Sequence, residues 1–150
     1  MMTRAELTEK IVAHKMMTGF KWEDVGDAIG KSKEWTCAAM LGQLSLTKEE
    51  VEKAGNVMGL NFSPDETALL MTVPYRGSLP TQIPTDPLIY RFYEIVMVYG
   101  STFKSLIEEE FGDGIMSAID YDMSVTRIED PKGDRVQVMM TGKFLPYKSY

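Results

Sequence analysis

Arg91 and Glu94 are the residues whose setting suggests chemistry. They are the only charged members of a thirteen-residue run, Pro87 to Tyr99, in which the other eleven residues are aliphatic, aromatic or proline. On a helix, residues three apart lie about 60° around the axis and ~4.5 Å along it, so both side chains leave one face. Such a pair can be an ordinary i, i+3 salt bridge, worth ~0.2–0.5 kcal/mol on a surface. A helix this apolar must, however, be buried by its own domain or by neighbouring subunits. Desolvating the pair then costs on the order of several kcal/mol per ion. A retained buried pair is better explained by an anion that the guanidinium holds and a proton or hydrogen bond that the carboxylate supplies. A second element is Gly112-Asp113-Gly114-Ile115-Met116-Ser117. Closely spaced glycines let backbone amides approach a small anion, and a hydroxyl adds a neutral donor. The same Gly-Asp-Gly run is also a common helix stop.

The rest of the chain offers few other reactive groups. It has one cysteine, Cys37, and one histidine, His14. That excludes an internal disulfide and a Cys/His zinc or iron–sulfur cluster, so a reducing compartment and metal-free chemistry are expected. Cys37 reads as a small packing residue, and His14, with Lys10 and Lys15 nearby, as a solvated one. The net charge of −6 is evenly spread, with 8 basic and 11 acidic residues on each side of the Val73/Pro74 junction. Neither half therefore advertises a polyanionic partner. The first residues mix charges of both signs, and no run approaches 18 uncharged apolar residues, so a cytoplasmic location is expected.

The elements that position these residues follow from start and stop signals. Thr3 with Glu6 and Thr47 with Glu50 have the capping-box spacing, and Ser63-Pro64-Asp65-Glu66 adds a third start with proline at the first helical position. With Gly30, Gly42 and Gly59 as stops, five helices are expected at roughly 4–17, 22–29, 33–41, 48–58 and 64–71. Residues 74–85, rich in proline, read as a linker between an N-terminal helical domain (1–73) and a C-terminal domain (86–150). In the latter a helix is expected from Asp86-Pro87 to about Tyr99, with Gly100 as its stop, then a second from Thr102 to Phe111. Beyond Ser117 the period becomes alternating: Ile119, Tyr121, Met123 and Val125 share one face, and Val136, Val138 and Met140 one face of the next run. With the turn sequence Asp130 to Asp134 between them, a β-hairpin is expected. A lone hairpin is marginal in water and has two open edges, which asks for a second subunit.

Ile83-Pro-Thr-Asp-Pro87, Tyr90-Arg-Phe-Tyr-Glu94, Val98-Tyr-Gly100, Phe111-Gly-Asp-Gly-Ile-Met-Ser-Ala-Ile119 and Gly142-Lys-Phe-Leu-Pro146 resemble, in order and spacing, the C-terminal domain of the cyanases. The likeness is looser in the first domain, where Met40-Leu-Gly-Gln43 is the clearest echo. The resemblance implies an α+β protein: an N-terminal repressor-like bundle of helix-turn-helix type, and a C-terminal helix-and-hairpin domain that interlocks with a second subunit. It implies a lyase that combines cyanate with bicarbonate to give carbamate and carbon dioxide, the carbamate then breaking down to ammonia and carbon dioxide. It places the catalytic residues at Arg91, Glu94 and Ser117, with no metal or organic cofactor and bicarbonate as co-substrate. It further implies a homodecamer of five dimers with active sites between subunits, and no nucleic-acid or membrane partner.

A rival reading starts from Trp22 to Gly42, which has a helix-turn-helix outline. It would make the chain a DNA-binding regulator whose second domain senses a small anion. Its would-be recognition helix, Lys33 to Leu41, is mostly apolar and lacks the Arg, Asn and Gln side chains that read base edges. The net negative domain also argues against the reading.

Overall fold

The computed structural model describes residues 2–77 and 81–148. Among the described residues six helices and a two-stranded antiparallel sheet follow in the order α1 (Arg4–Thr18), α2 (Trp22–Ile29), α3 (Lys33–Met40), α4 (Lys48–Met58), α5 (Pro64–Met71), α6 (Pro87–Phe111), β1 (Gly114–Ile128) and β2 (Arg135–Pro146). The chain divides into two compact units, Met1–Ser78 and Leu79–Tyr150. Of the expected linker, residues 78–80 lie outside the described residues, and the flanking residues 73–77 and 81–85 carry neither helix nor strand.

In the first unit the start signals act as their chemistry requires. Thr3, Thr47 and Ser63 each accept a hydrogen bond from the amide three residues on, and Glu6, Glu50 and Glu66 each reach back to the capping residue's own amide. Replacing such a cap typically costs ~1 kcal/mol. The helices close around Leu7, Ile11, Val25, Met40, Val51 and Leu70, all at most 1% exposed, with Trp22 and Trp35 packed against the cluster. Arg4 pins the start of α1 to the end of α3. Its Nη2 donates to the carbonyls of Ala39 (2.7 Å) and Met40 (3.3 Å), and its Nη1 to Thr8 Oγ1 (3.1 Å). A cation at a helix C-terminus also meets the negative end of that helix's dipole. Lys10 Nζ lies 2.6 Å from Glu66 Oε1, joining α1 to α5.

His14 is not the freely solvated residue expected. It is half-buried, with Nε2 2.7 Å from the Met58 carbonyl, so it ties α1 to the last turn of α4. Cys37 is half-buried, and burial pushes its thiol pKa up, which keeps the sulfur protonated and unreactive.

The second unit differs from expectation in two places. The two helices expected on either side of Gly100 are one 25-residue helix, α6, running unbroken to Phe111. Gly100 is not in the left-handed conformation that ends a helix. A glycine inside a helix costs only about 1 kcal/mol relative to alanine, and continuous helical hydrogen bonding outweighs that. The stop is Gly112, with φ +86°.

The other difference is in the hairpin. β1 begins at Gly114, ahead of the serine, and Gly114, Ile115 and Met116 pair with Pro146, Leu145 and Phe144. Pairing resumes at Tyr121 with Gly142, so residues 117–120 stand opposite Lys143 alone as a wide bulge. The bulge removes Ile119 from the alternating set and leaves it 98% exposed. Tyr121, Met123 and Val125 keep their shared face, opposite Gly142, Met140 and Val138. At the far end Gly133 N donates to Asp130 O (2.9 Å) and Lys132 N to Asp130 Oδ1 (2.9 Å), closing the expected turn.

Candidate active site

Asp86 and Pro87 set the start of the helix that carries Arg91 and Glu94. The Asp86 carboxylate accepts from the amides of Leu88 (2.9 Å) and Ile89 (3.0 Å), and Pro87 occupies the first turn, where its missing N–H costs nothing. One turn later the two charged side chains do share a face. Arg91 Nη1 lies 3.4 Å from Glu94 Oε2, while Arg91 Nε donates to the Pro87 carbonyl at 3.3 Å and the guanidinium carbon sits 5.2 Å from the centre of the Tyr90 ring. A tight guanidinium–carboxylate hydrogen bond is ~2.7–2.9 Å. The longer contact is a looser ion pair than that.

The burial expected for this pair is not supplied by its own unit. The Arg91 side chain is 60% exposed and that of Glu94 44%, and α6 has no buried residue at all. Leu88, Phe92, Ile95, Val96, Val98 and Phe103 are all exposed. Of the two ways to cover this helix, its own domain is therefore excluded.

Ser117 is placed differently. It is 5% exposed, inside the bulge, and its Oγ accepts hydrogen bonds from the amides of Ile119 (3.0 Å) and Asp120 (2.9 Å). This local side-chain-to-backbone motif uses the oxygen's lone pairs. What remains to offer a ligand is the hydroxyl proton, so the group is built as a donor and poorly disposed as a nucleophile.

Among the described residues no hydrogen bond or ion pair joins Ser117 to Arg91 or Glu94. Arg91 to Phe111 spans twenty helical steps, ~30 Å, and the six residues from Phe111 to Ser117 reach back at most ~20 Å. About 10 Å or more thus separates the Arg91 and Ser117 backbones, and the Ser117 hydroxyl oxygen accepts from amides of its own bulge. The end of α6 is fixed to the hairpin by the stacked rings of Phe111 and Phe144, 5.2 Å apart, and by Tyr147 N donating to Asp113 O at 3.1 Å.

The bulge, and the pairing of residues 114–116 with 144–146 beyond it, were missed by sequence reasoning. The available signal was Gly142, an isolated glycine inside a strand pattern, which marks a bulge or a close backbone approach. Among the described residues no three His, Cys, Asp or Glu side chains are grouped to hold a metal ion, and no helix is long and apolar enough to cross a membrane.

Comparison with known proteins bears on the whole chain. Residues 4–74 match the family described as cyanate hydratase, N-terminal, and residues 81–149 the cyanate lyase C-terminal domain. A protein named cyanate hydratase from Methylibium petroleiphilum is 61% identical over 99% of this chain and 100% of its own length. One of the same name from Ralstonia pickettii is 59% identical over the same shares. Among solved structures, the cyanase of T. urticae superposes with a TM-score of 0.77 at 34% identity, covering 94% of this chain and 97% of that one. None of these relatives is named as a DNA-binding regulator, and the rival reading of Trp22 to Gly42 is not favoured. With both of its halves matched and its full length shared, the chain belongs to the cyanate hydratase (cyanate lyase) family.

Proposed function

We propose that this protein decomposes cyanate with bicarbonate, in active sites formed where copies of the chain meet, using Arg91, Glu94 and Ser117. One observation carries the reading in a chain whose relatives are named cyanate hydratases. The sole charges in the first half of α6 are a guanidinium and a carboxylate on one face, on a helix that its own unit leaves uncovered.

The reaction joins two anions. An oxygen of bicarbonate forms a bond to the cyanate carbon, the cyanate nitrogen takes up the bicarbonate proton and one from solution, and the bicarbonate carbon leaves as carbon dioxide. Carbamate remains and, with a further proton, falls apart to ammonia and a second carbon dioxide. At 4 Å two unit negative charges repel by about 4 kcal/mol if the effective dielectric is near 20. Arg91 offsets that repulsion and orients both anions with its planar fork. Glu94 holds the fork in place and hands a proton to the cyanate nitrogen. Ser117, its oxygen anchored by two amides, donates its proton to one anion.

The exposed apolar faces of α6 and the hairpin support an assembly, which we take to be a decamer of five dimers whose C-terminal units interlock. Coverage by neighbouring copies supplies the low dielectric that the Arg91–Glu94 pair lacks in one chain, and brings a serine and an arginine from different chains together. Residues 1–73 and 86–150 act as separate domains on a linker at 74–85. The chemistry requires no metal or organic cofactor, since the guanidinium supplies the positive charge and bicarbonate the oxygen, and a cytoplasmic location suits a chain with one free cysteine.

The test is the fate of the carbon. With 13C-bicarbonate, initial rates should show one labelled and one unlabelled carbon dioxide per ammonia. Unlabelled product alone would mean direct hydrolysis of cyanate and overturn the proposal.

A further inference from the structure

We propose that Gly142 is a positioning residue for Ser117: its bare backbone is the seat on which the bulge rests, and that seat fixes where the serine hydroxyl points. The inference rests on the reading of Ser117 as a hydrogen-bond donor to substrate. The surplus of β1 over β2 is concentrated at residues 117–120, opposite Lys143, and Gly142 is the next residue of β2, paired with Tyr121. There the two backbones come closer than a side chain allows. A Cβ on residue 142 would overlap the Ser117 carbonyl oxygen and lie 2.6 Å from Met116 Cγ and 3.3 Å from the Ser117 carbonyl carbon. The obstacle is main chain, which cannot swing aside as a side-chain end can. Gly142 does not have a positive φ, so it is glycine for space and not for conformation. Gly133 in the hairpin turn is the opposite case, with φ +120° and nothing within 4 Å of an added Cβ.

An alanine at 142 must push the Ser117 main chain away by about 1 Å, a misplacement that can cost on the order of 100-fold in rate. The shift acts where it matters, because the same four residues supply both the serine and the Ile119 and Asp120 amides that hold its oxygen.

The experiment measures kcat and KM for cyanate and for bicarbonate in wild type, Gly142→Ala, Ser117→Ala, the double variant and Gly133→Ala, with the assembly state of each. Gly142→Ala should lose about 100-fold in kcat/KM, with KM raised for at least one anion. Gly133→Ala, strained but remote, should lose stability and keep both KM values. The double variant should be no slower than Ser117→Ala alone, since a residue acting through another adds nothing once that one is gone. Wild-type constants in Gly142→Ala beside a damaged Ser117→Ala would overturn the positioning role and leave Ser117 catalytic, as would losses that multiply in the double variant. Wild-type constants in Ser117→Ala would remove the serine from the mechanism, and the positioning role with it. Should Gly142→Ala not assemble, Ala118→Gly loosens the bulge at an exposed position. It should raise KM several-fold in the intact assembly, and unchanged constants there would overturn the proposal.

Discussion

The two units of this chain solve the problem of apolar surface in opposite ways. The N-terminal unit spends its hydrophobic residues on a closed core, with Leu7, Ile11, Val25 and Leu70 at 0% exposure and polar caps at the helix starts. The C-terminal unit presents its hydrophobic residues outward on one long helix and a two-stranded ribbon, and among its described residues the one buried polar side chain is Ser117, the serine proposed for chemistry. A self-sufficient bundle suits a structural role. An unfinished half-core suits the proposed site, which would be completed, and closed to water, only when copies meet.

The sharpest way to break this contrast is Val98→Asp. The residue is 60% exposed in one chain, where a surface substitution would change stability by no more than ~0.5 kcal/mol. If a neighbouring copy covers it, burying an unpaired carboxylate costs several kcal/mol, on the order of 3–5. We expect sedimentation to show loss of the assembly and the assay to show loss of activity. The transition of the first unit should stay in place, followed by the fluorescence of Trp22 and Trp35, the chain's two tryptophans, both in that unit.

Arg91→Lys comes next. It keeps the charge and loses the fork, and turnover should fall on the order of 100-fold, like loss of one preorganised donor. Assembly should be intact by size-exclusion chromatography.

In the first unit, Arg4→Ala should cost about 1.5–3 kcal/mol, the range for hydrogen bonds from a charged group, because it releases the α3 carbonyls of Ala39 and Met40. Denaturant melts by tryptophan fluorescence would measure it, with kcat per intact assembly unchanged.

A smaller effect separates the units by pH. Burial works against ionisation of Glu66, but hydrogen bonds from Lys10 and the Ser63 amide outweigh it and hold the carboxyl below the usual carboxylate range. The unfolded carboxyl titrates near about 4.3, so near that pH the unfolded state binds more protons. The stabilisation is present above it and is lost as pH falls through the lower folded value. Glu66→Gln should flatten the acid limb of the first unit's stability curve. An unchanged limb would mean that the Lys10–Glu66 contact does not contribute. At the bottom of the scale Lys48→Ala, which removes an exposed ion pair with Glu52 at 3.9 Å, should change stability by less than ~0.5 kcal/mol.

How much was legible in the sequence tracks the same contrast. Helices α1, α4 and α5 were readable because their signals are local: a Thr or Ser hydroxyl and a Glu three residues on settle a helix start whatever surrounds it, and the Gly30 stop bounded α2. The hairpin's register beyond Tyr121 was readable from its alternation. Gly100 misled because a glycine is a stop only if the chain takes the left-handed turn there, and continued helical bonding overrode it. The bulge was not readable as a pattern, since Ile119 continues the alternation of Tyr121, Met123 and Val125 in sequence while standing outside it in the fold. In the site, the Arg91–Glu94 pairing followed from helical spacing, whereas its exposure did not, because an apolar helix has the same sequence whether or not its own unit covers it. Ser117 came from resemblance alone, and its anchored oxygen became visible only in three dimensions.

The measurement that tests the account most directly is cyanate decomposition, followed as ammonia release with and without added bicarbonate, on wild type and Glu94→Gln of equal assembly state. We expect release from the wild type that depends on bicarbonate, and a fall on the order of 100-fold in Glu94→Gln. Release without bicarbonate, none from the wild type, or a wild-type rate in Glu94→Gln would contradict it.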